Sequence, residues 1–226
     1  MNKKLTDYQV IELLDIKDLL QTYSIEDLFD AIAKKLFNEY HIKKGDSTYD
    51  FLEIEFYYFE ERHPDYITYP RTISKGKWFF HPSGIDISFE SSCEKGFKKT
   101  SKAGENFFGG ILIRSLVKDG NIAVNGPLRC CWELFDCFSA FELRPNELPI
   151  IERRSVVNQF EIYKTERFIS FDKAKAEVNY GDNYENFEDH LLKRYRYYNK
   201  NPKWEEIKTR DYKARPLNAD NKDIRL

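Results

Sequence analysis

The stretch FLEIEFYYFEE, residues 51–61, decides how the rest of the chain is read. With a period of two, Leu52, Ile54, Phe56 and Tyr58 fall on one face, and Phe51, Glu53, Glu55, Tyr57 and Phe59 on the other. Its aromatic and β-branched residues favour a strand. The first face reads as core-facing. The second sets two carboxylates among rings, unlike a solvated face of Lys, Thr and Ser. An acid beside aromatic surface is partly stripped of water, a condition met at reactive sites and equally in buried ion pairs. An edge acid paired with a Lys or Arg would give the same pattern.

Upstream, SIEDLFDAIAKKLFNEY (24–40) predicts a helix. Ser24 suits the N-cap, with Asp27 three residues on. Ile25, Leu28, Phe29, Ile32, Leu36 and Phe37 form an apolar stripe at helical spacing. Downstream, Trp78–His81 and Ile85–Glu90 read as short strands about a Pro82-Ser83-Gly84 turn. The Gly, Ser and Lys of 91–106 predict a surface loop. FFGGILIRSL (107–116) reads as a buried strand with one arginine, Arg114, in an apolar run, and a buried guanidinium must be paired. Gly109-Gly110 would allow a close backbone approach or a bulge. NGPLRCCWELFDCF (125–138) predicts a helix with Pro127 in its first turn. Strands are expected within 153–171, and a helix ending in a basic, aromatic turn within 186–204. Trp78 and Trp132 read as core residues. The pattern as a whole predicts one α+β domain, a mostly antiparallel curved sheet with flanking helices.

The 226 residues suffice for one large domain, and 41% hydrophobic with 16% aromatic content supplies a core rather than disorder. A net charge of −2 gives no global attraction to nucleic acid, so such a role would rest on a local patch. No run of about 18 apolar residues predicts a membrane span. The opening MNKKLTDYQV lacks an apolar signal-peptide centre. Cys93, Cys130, Cys131 and Cys137 match no zinc spacing, and read as reduced, mostly buried thiols of a cytoplasmic protein.

Five motifs stand in a familiar order: EIEFY (53–57), HPSG (81–84), LIRSL (112–116), NGPLRC (125–130) and YRYYNKNP (195–202). In order and spacing the chain resembles the alkyladenine (3-methyladenine) DNA glycosylase family, and uncharacterised relatives that share its fold. The resemblance covers residues 24–202. It sets off 1–23 as an N-terminal segment and 203–226 as a loose polar tail. It implies a methylpurine-DNA-glycosylase-like fold and a monomeric base-excision hydrolase of DNA repair that acts on a flipped-out base without metal or other cofactor. The family's water-activating glutamate falls on Glu55, its base-stacking tyrosine on Tyr57, and the arginine that holds glutamate and water on Arg114. This chemistry suits those residue types. Cleaving an N-glycosidic bond builds positive charge on the sugar, which a fixed carboxylate stabilises while it takes a proton from water.

The chain also departs from that family. The active-site loop histidine has no clear counterpart; Tyr69 stands at the nearest position, with His63 close by. The wedge tyrosine of the aromatic strand is missing, and Phe89 is the ring of GIDISFESS. His81 at a strand end is a candidate base contact or general acid, or a hydrogen-bonded structural histidine. Lys95, Lys98, Lys99 and Lys102 form a local basic patch that could track phosphates, or an ordinary solvated loop. Arg196, in the ring-and-charge run KRYRYYNK, is a further backbone candidate. Two functions follow: a DNA N-glycosylase, or a protein of the same fold that binds nucleobase or nucleic acid without hydrolysis.

Overall fold

The computed structural model describes residues 3–99, 103–136, 139–142, 147–167, 193–200 and 224–226. Ser24 Oγ accepts the Asp27 amide at 3.1 Å and opens α3 (Ile25–Glu39), after the short helices α1 (Val10–Leu13) and α2 (Ile16–Leu19). α3 runs directly into β1 (Tyr40–Lys44). A turn with Gly45 at φ 57° returns the chain as β2 (Ser47–Glu60), 14 residues long. Then come β3 (His63–Pro64), the hairpin β4 (Trp78–His81) and β5 (Gly84–Ser88), β6 (Phe108–Lys118) and β7 (Ile122–Asn125). Next are α4 (Pro127–Leu134), β8 (Ile150–Arg153), β9 (Ile162–Thr165), β10 (Arg196–Asn199) and β11 (Ile224–Arg225).

The strands build one curved antiparallel sheet in the order β11-β9-β10-β2-β6-β5-β4, making a single α+β domain with few helices. α3 lies on one face. Phe29 stacks on Phe56 with centroids 4.5 Å apart and on Phe89 at 6.0 Å, and Ile54, Ile85, Ile87, Ile111 and Ile113 fill the layer. Each such buried side chain contributes roughly 1.5–3 kcal/mol. Val10, Leu13, Leu14 and Ile16 join the same core, so residues 1–23 are not a separate segment in the region described.

The long β2–β6 pairing departs from simple alternation at one place. Phe51 pairs with Leu116, Glu53 with Ser115, and Ile54 with Ile113, which leaves Leu52 and Arg114 without partners in register. Each strand thus carries one extra residue, and the two irregularities cancel. Phe51 joins the main core, whereas Leu52 packs in a separate cluster with Val117 and Tyr198. That corrects the uniform period read from 51–61.

Three other expectations change. The run around residue 196 is a strand inside the sheet, not a basic turn, because each polar tip has a partner. Tyr195 reaches Glu26 and His63, Tyr197 reaches Asp30 at 2.7 Å, and Arg196 reaches Glu53. Trp132 is 64% exposed rather than core, and α4 ends at Leu134. The far end of the expected loose tail contains β11, and the Leu226 amide donates to Ile162 O at 2.9 Å. Residues 203–223 lie outside the described residues.

Candidate active site

The sheet face away from α3 carries the acids noted at 51–61. Two small apolar clusters cover its ends, one of Leu52, Val117 and Tyr198, the other of Phe59, Phe108 and Ala103. Between them is a polar island. Glu53 and Glu55 are 1% and 0% exposed, so both need partners. Arg114, the extra residue of β6, provides them: Nε donates to Glu53 Oε1 at 3.0 Å and Nη1 to Glu55 Oε2 at 3.1 Å. A bulge re-aims a side chain and is common beside active sites. Here it turns a guanidinium towards two carboxylates.

Glu53 is saturated. It accepts from Arg114 Nε and Arg196 Nε, and Ser115 Oγ lies 3.2 Å from its second oxygen. Burial alone would push its carboxyl up, but Arg196 and Arg114 outweigh that and hold it below the usual carboxylate range. Glu55 is different. Its Oε2 also accepts the Tyr57 hydroxyl at 2.6 Å, while Oε1 is buried with no hydrogen-bond partner among the described residues. Burial opposes the charge of Arg114, but Glu55 and Glu53 overcome it and raise the guanidinium above its ordinary value. Tyr57 has its hydroxyl raised well above the usual range, first by burial and then by Glu55.

Arg167, which the sequence did not single out, sits just past β9. It forms a two-pronged pair with Asp65 at 2.6 and 3.2 Å, and its guanidinium lies 4.9 Å from the Tyr57 ring centroid. Its only signal in sequence was an arginine following a strand of alternating pattern.

Register carries the polar face further. Arg196 pairs with Glu55, Glu55 with Leu112, Leu112 with Asp86, and Asp86 with Phe79. Directly opposed residues share a face, so Asp86 stands about 10 Å from Glu55, two strand spacings away. Asp86 anchors a second cluster. Arg71 Nη1 donates to it at 2.7 Å, and His81 Nε2 lies 2.9 Å from its other oxygen. The Ser83 amide donates to His81 Nδ1 at 3.3 Å, which makes Nε2 the protonated nitrogen facing Asp86. Tyr69 lies against His81 with centroids 4.7 Å apart, and its hydroxyl is 3.2 Å from Ser83 Oγ. Gly110 leaves room for this group: a Cβ there would meet Arg71 Nη1 at 2.9 Å. The close approach expected at the glycine pair is made by the chain's own arginine.

Glu55, Arg114 and Tyr57 therefore meet, with Arg196 beside them in a role other than the expected one, whereas further expected site residues stand elsewhere. Phe89 is a fully buried core ring, stacked with Phe29 and Phe56, and corrects the expectation of a base contact. Arg196 is 5% exposed and bonded to Glu53, which corrects its expected place on a phosphate backbone; the buried acid competes better for it than solvent does. Both ring nitrogens of His81 are engaged, which favours its structural reading. Lys95 and Lys98 are exposed, Lys99 donates to Tyr66 O at 2.7 Å, and Lys102 lies outside the described residues.

The island holds a buried carboxylate with one oxygen fixed and one open, beside a guanidinium. That set can take a proton from a hydroxyl or water and stabilise adjacent positive charge. Among the described residues, no group of three or more His, Cys, Asp or Glu side chains could hold a metal ion, and no helix is long and apolar enough to cross a membrane. Comparison with models of known protein families, with curated proteins and with solved structures found no match to this chain.

Proposed function

We propose that this chain is a DNA glycosylase-like N-glycosidase, which hydrolyses the bond between a modified or damaged base and deoxyribose. Glu55 takes a proton from water as the water oxygen bonds to the sugar carbon; the N-glycosidic bond breaks with its electron pair leaving on the base, and the proton held by Glu55 is passed on through solvent to the departed base, which leaves the carboxylate as it began. The base must leave the stack to reach a group set in a sheet face. Arg114 fixes the carboxylate. The observation that carries the reading is the open, buried Oε1 of Glu55 beside a saturated Oε2. The test is mass spectrometry of bases released from alkylated, deaminated and hypermodified DNAs, with Glu55→Gln alongside. Release by the parent and none by the folded variant supports the reading; equal release by both overturns it.

A second reading, binding of a nucleobase or nucleic acid without hydrolysis, is favoured by the net charge of −2 and by the engaged state of His81. It predicts binding that Glu55→Gln leaves unchanged, with no base released by either protein.

A further inference from the structure

Arg196 stands directly across the β10–β2 pairing from Glu55. Side chains so opposed have Cβ atoms about 4.5–5.5 Å apart, and opposite charges there ordinarily pair. Arg196 meets that partner only as a long ion pair, at the outer edge of contact. Its Nε bonds to Glu53, on the same strand, and stays 4.0 Å from Glu55 Oε1. The oxygen it holds at that distance is the one buried without a hydrogen-bond partner among the described residues. Glu53 draws Arg114 Nε in the same way, so that of these two arginines Arg114, through Nη1, is the one hydrogen-bonded to Glu55.

We propose that Glu53 is a positioning residue, which holds Arg196 off the open oxygen of Glu55 and so keeps that oxygen free to accept a proton. Among the described residues, the charge of Glu53 decides how Arg114 and Arg196 divide between the two acids. Without its charge, Arg196 swings to its cross-strand neighbour and closes Oε1. The proposal rests on the reading of Glu55 as the proton acceptor, but its structural half can be tested apart from that reading.

The experiment uses Glu53→Gln, which keeps the side chain's size, and the double variant Glu53→Gln/Arg196→Gln, which restores the balance of charge. In a crystal structure of Glu53→Gln, the distance from Arg196 Nε to Glu55 Oε1 falls from 4.0 Å to hydrogen-bond length. On a DNA whose base the parent releases, kcat of Glu53→Gln drops about 100-fold with KM within about twofold, and the double variant regains most of the loss. A merely structural Glu53 would give no rescue, because the double variant removes a second buried partner. If Arg196 stays in place in the crystal, or if Glu53→Gln keeps parental kcat while Glu55→Gln is inactive, the proposal is overturned and the N-glycosidase reading survives. If the parent releases no base from any DNA, that reading fails, and the crystal distance alone decides the proposal. Should Glu53→Gln not fold, Glu53→Met removes the charge on a side chain of similar size and is expected to shorten the same distance.

Discussion

The Tyr57 hydroxyl donates to Glu55 Oε2 over 2.6 Å, on the oxygen that Arg114 also holds. Tyr57 therefore fixes the carboxylate as well as offering a ring. Tyr57→Phe keeps the ring beneath Arg167 and removes only the hydrogen bond, whose net worth is about 1 kcal/mol. The expected result is a loss of roughly 5–10-fold in single-turnover base release, with stability in urea lowered by no more than about 1 kcal/mol. A change confined to KM would assign Tyr57 to base contact instead.

Arg114 partners two buried carboxylates, so its removal leaves uncompensated charge. Arg114→Met is expected to destabilise the fold by about 3–5 kcal/mol in chemical denaturation. Adding Glu55→Gln should recover part of that, since one stranded charge disappears. Equal stability of parent and Arg114→Met would mean that the island is open to water.

The two glycines of β6 should differ in tolerance. A Cβ at Gly109 would meet Tyr57 O at 2.3 Å, and backbone cannot retreat. At Gly110 the nearest atom is the end of the Arg71 side chain at 2.9 Å, with Asp86 Cβ and Ile87 O at 3.0 Å. Gly109→Ala is expected to cost about 3 kcal/mol or more and Gly110→Ala about 1–2 kcal/mol, the latter through displacement of Arg71 from Asp86. Melting temperatures of the pair settle the order.

Stability should fall in acid through two separate windows. Burial holds His63 below its ordinary value, so the unfolded chain takes up a proton first. The stability it contributes is full above about pH 6.5 and is lost as pH falls through the depressed folded value. Glu53 is also depressed, through Arg196 and Arg114 acting against burial, so its contribution is full above about pH 4.3 and is lost further down. Denaturation curves from neutral pH into acid should show the upper decline vanish in His63→Gln and the lower one shrink in Glu53→Gln.

Of the expected basic patch, Lys95 and Lys98 are exposed. If they contact phosphates, the double variant Lys95→Ala/Lys98→Ala lowers the slope of log K against log salt by about 1.4–1.8. An unchanged slope in a binding titration would return this loop to plain solvation.

Much of the sheet could be read from residue types, because a strand buried on one face repeats every two residues. The Ser24 cap, the stripe of α3 and the hairpin about Pro82 follow from local rules of the same kind. Glu55 and Arg114 came from motif order, and the pairing rule for a buried arginine pointed the same way. The bulges were not legible, since Leu52 and Arg114 each fit simple alternation and only the register between two distant strands shows the slip. Nor was the place of β10, because rings and charges that look solvated in sequence are buried once Glu26, Asp30 and Glu53 meet them. Phe89 misled for the opposite reason: a lone ring near an expected site was a core residue.

The matched slips at Leu52 and Arg114 tie the lengths of two segments some sixty positions apart. Because each surplus residue is the one that interrupts alternation, a descendant that lost Leu52 would keep Phe51 in the oily layer and Glu53 among the acids, and the ladder would simply run straight there. Loss of a neighbouring regular residue would instead turn the side chains beyond it inside out. A missing codon in the first segment should therefore be tolerated at that surplus position alone, while the loops between the segments drift in size freely.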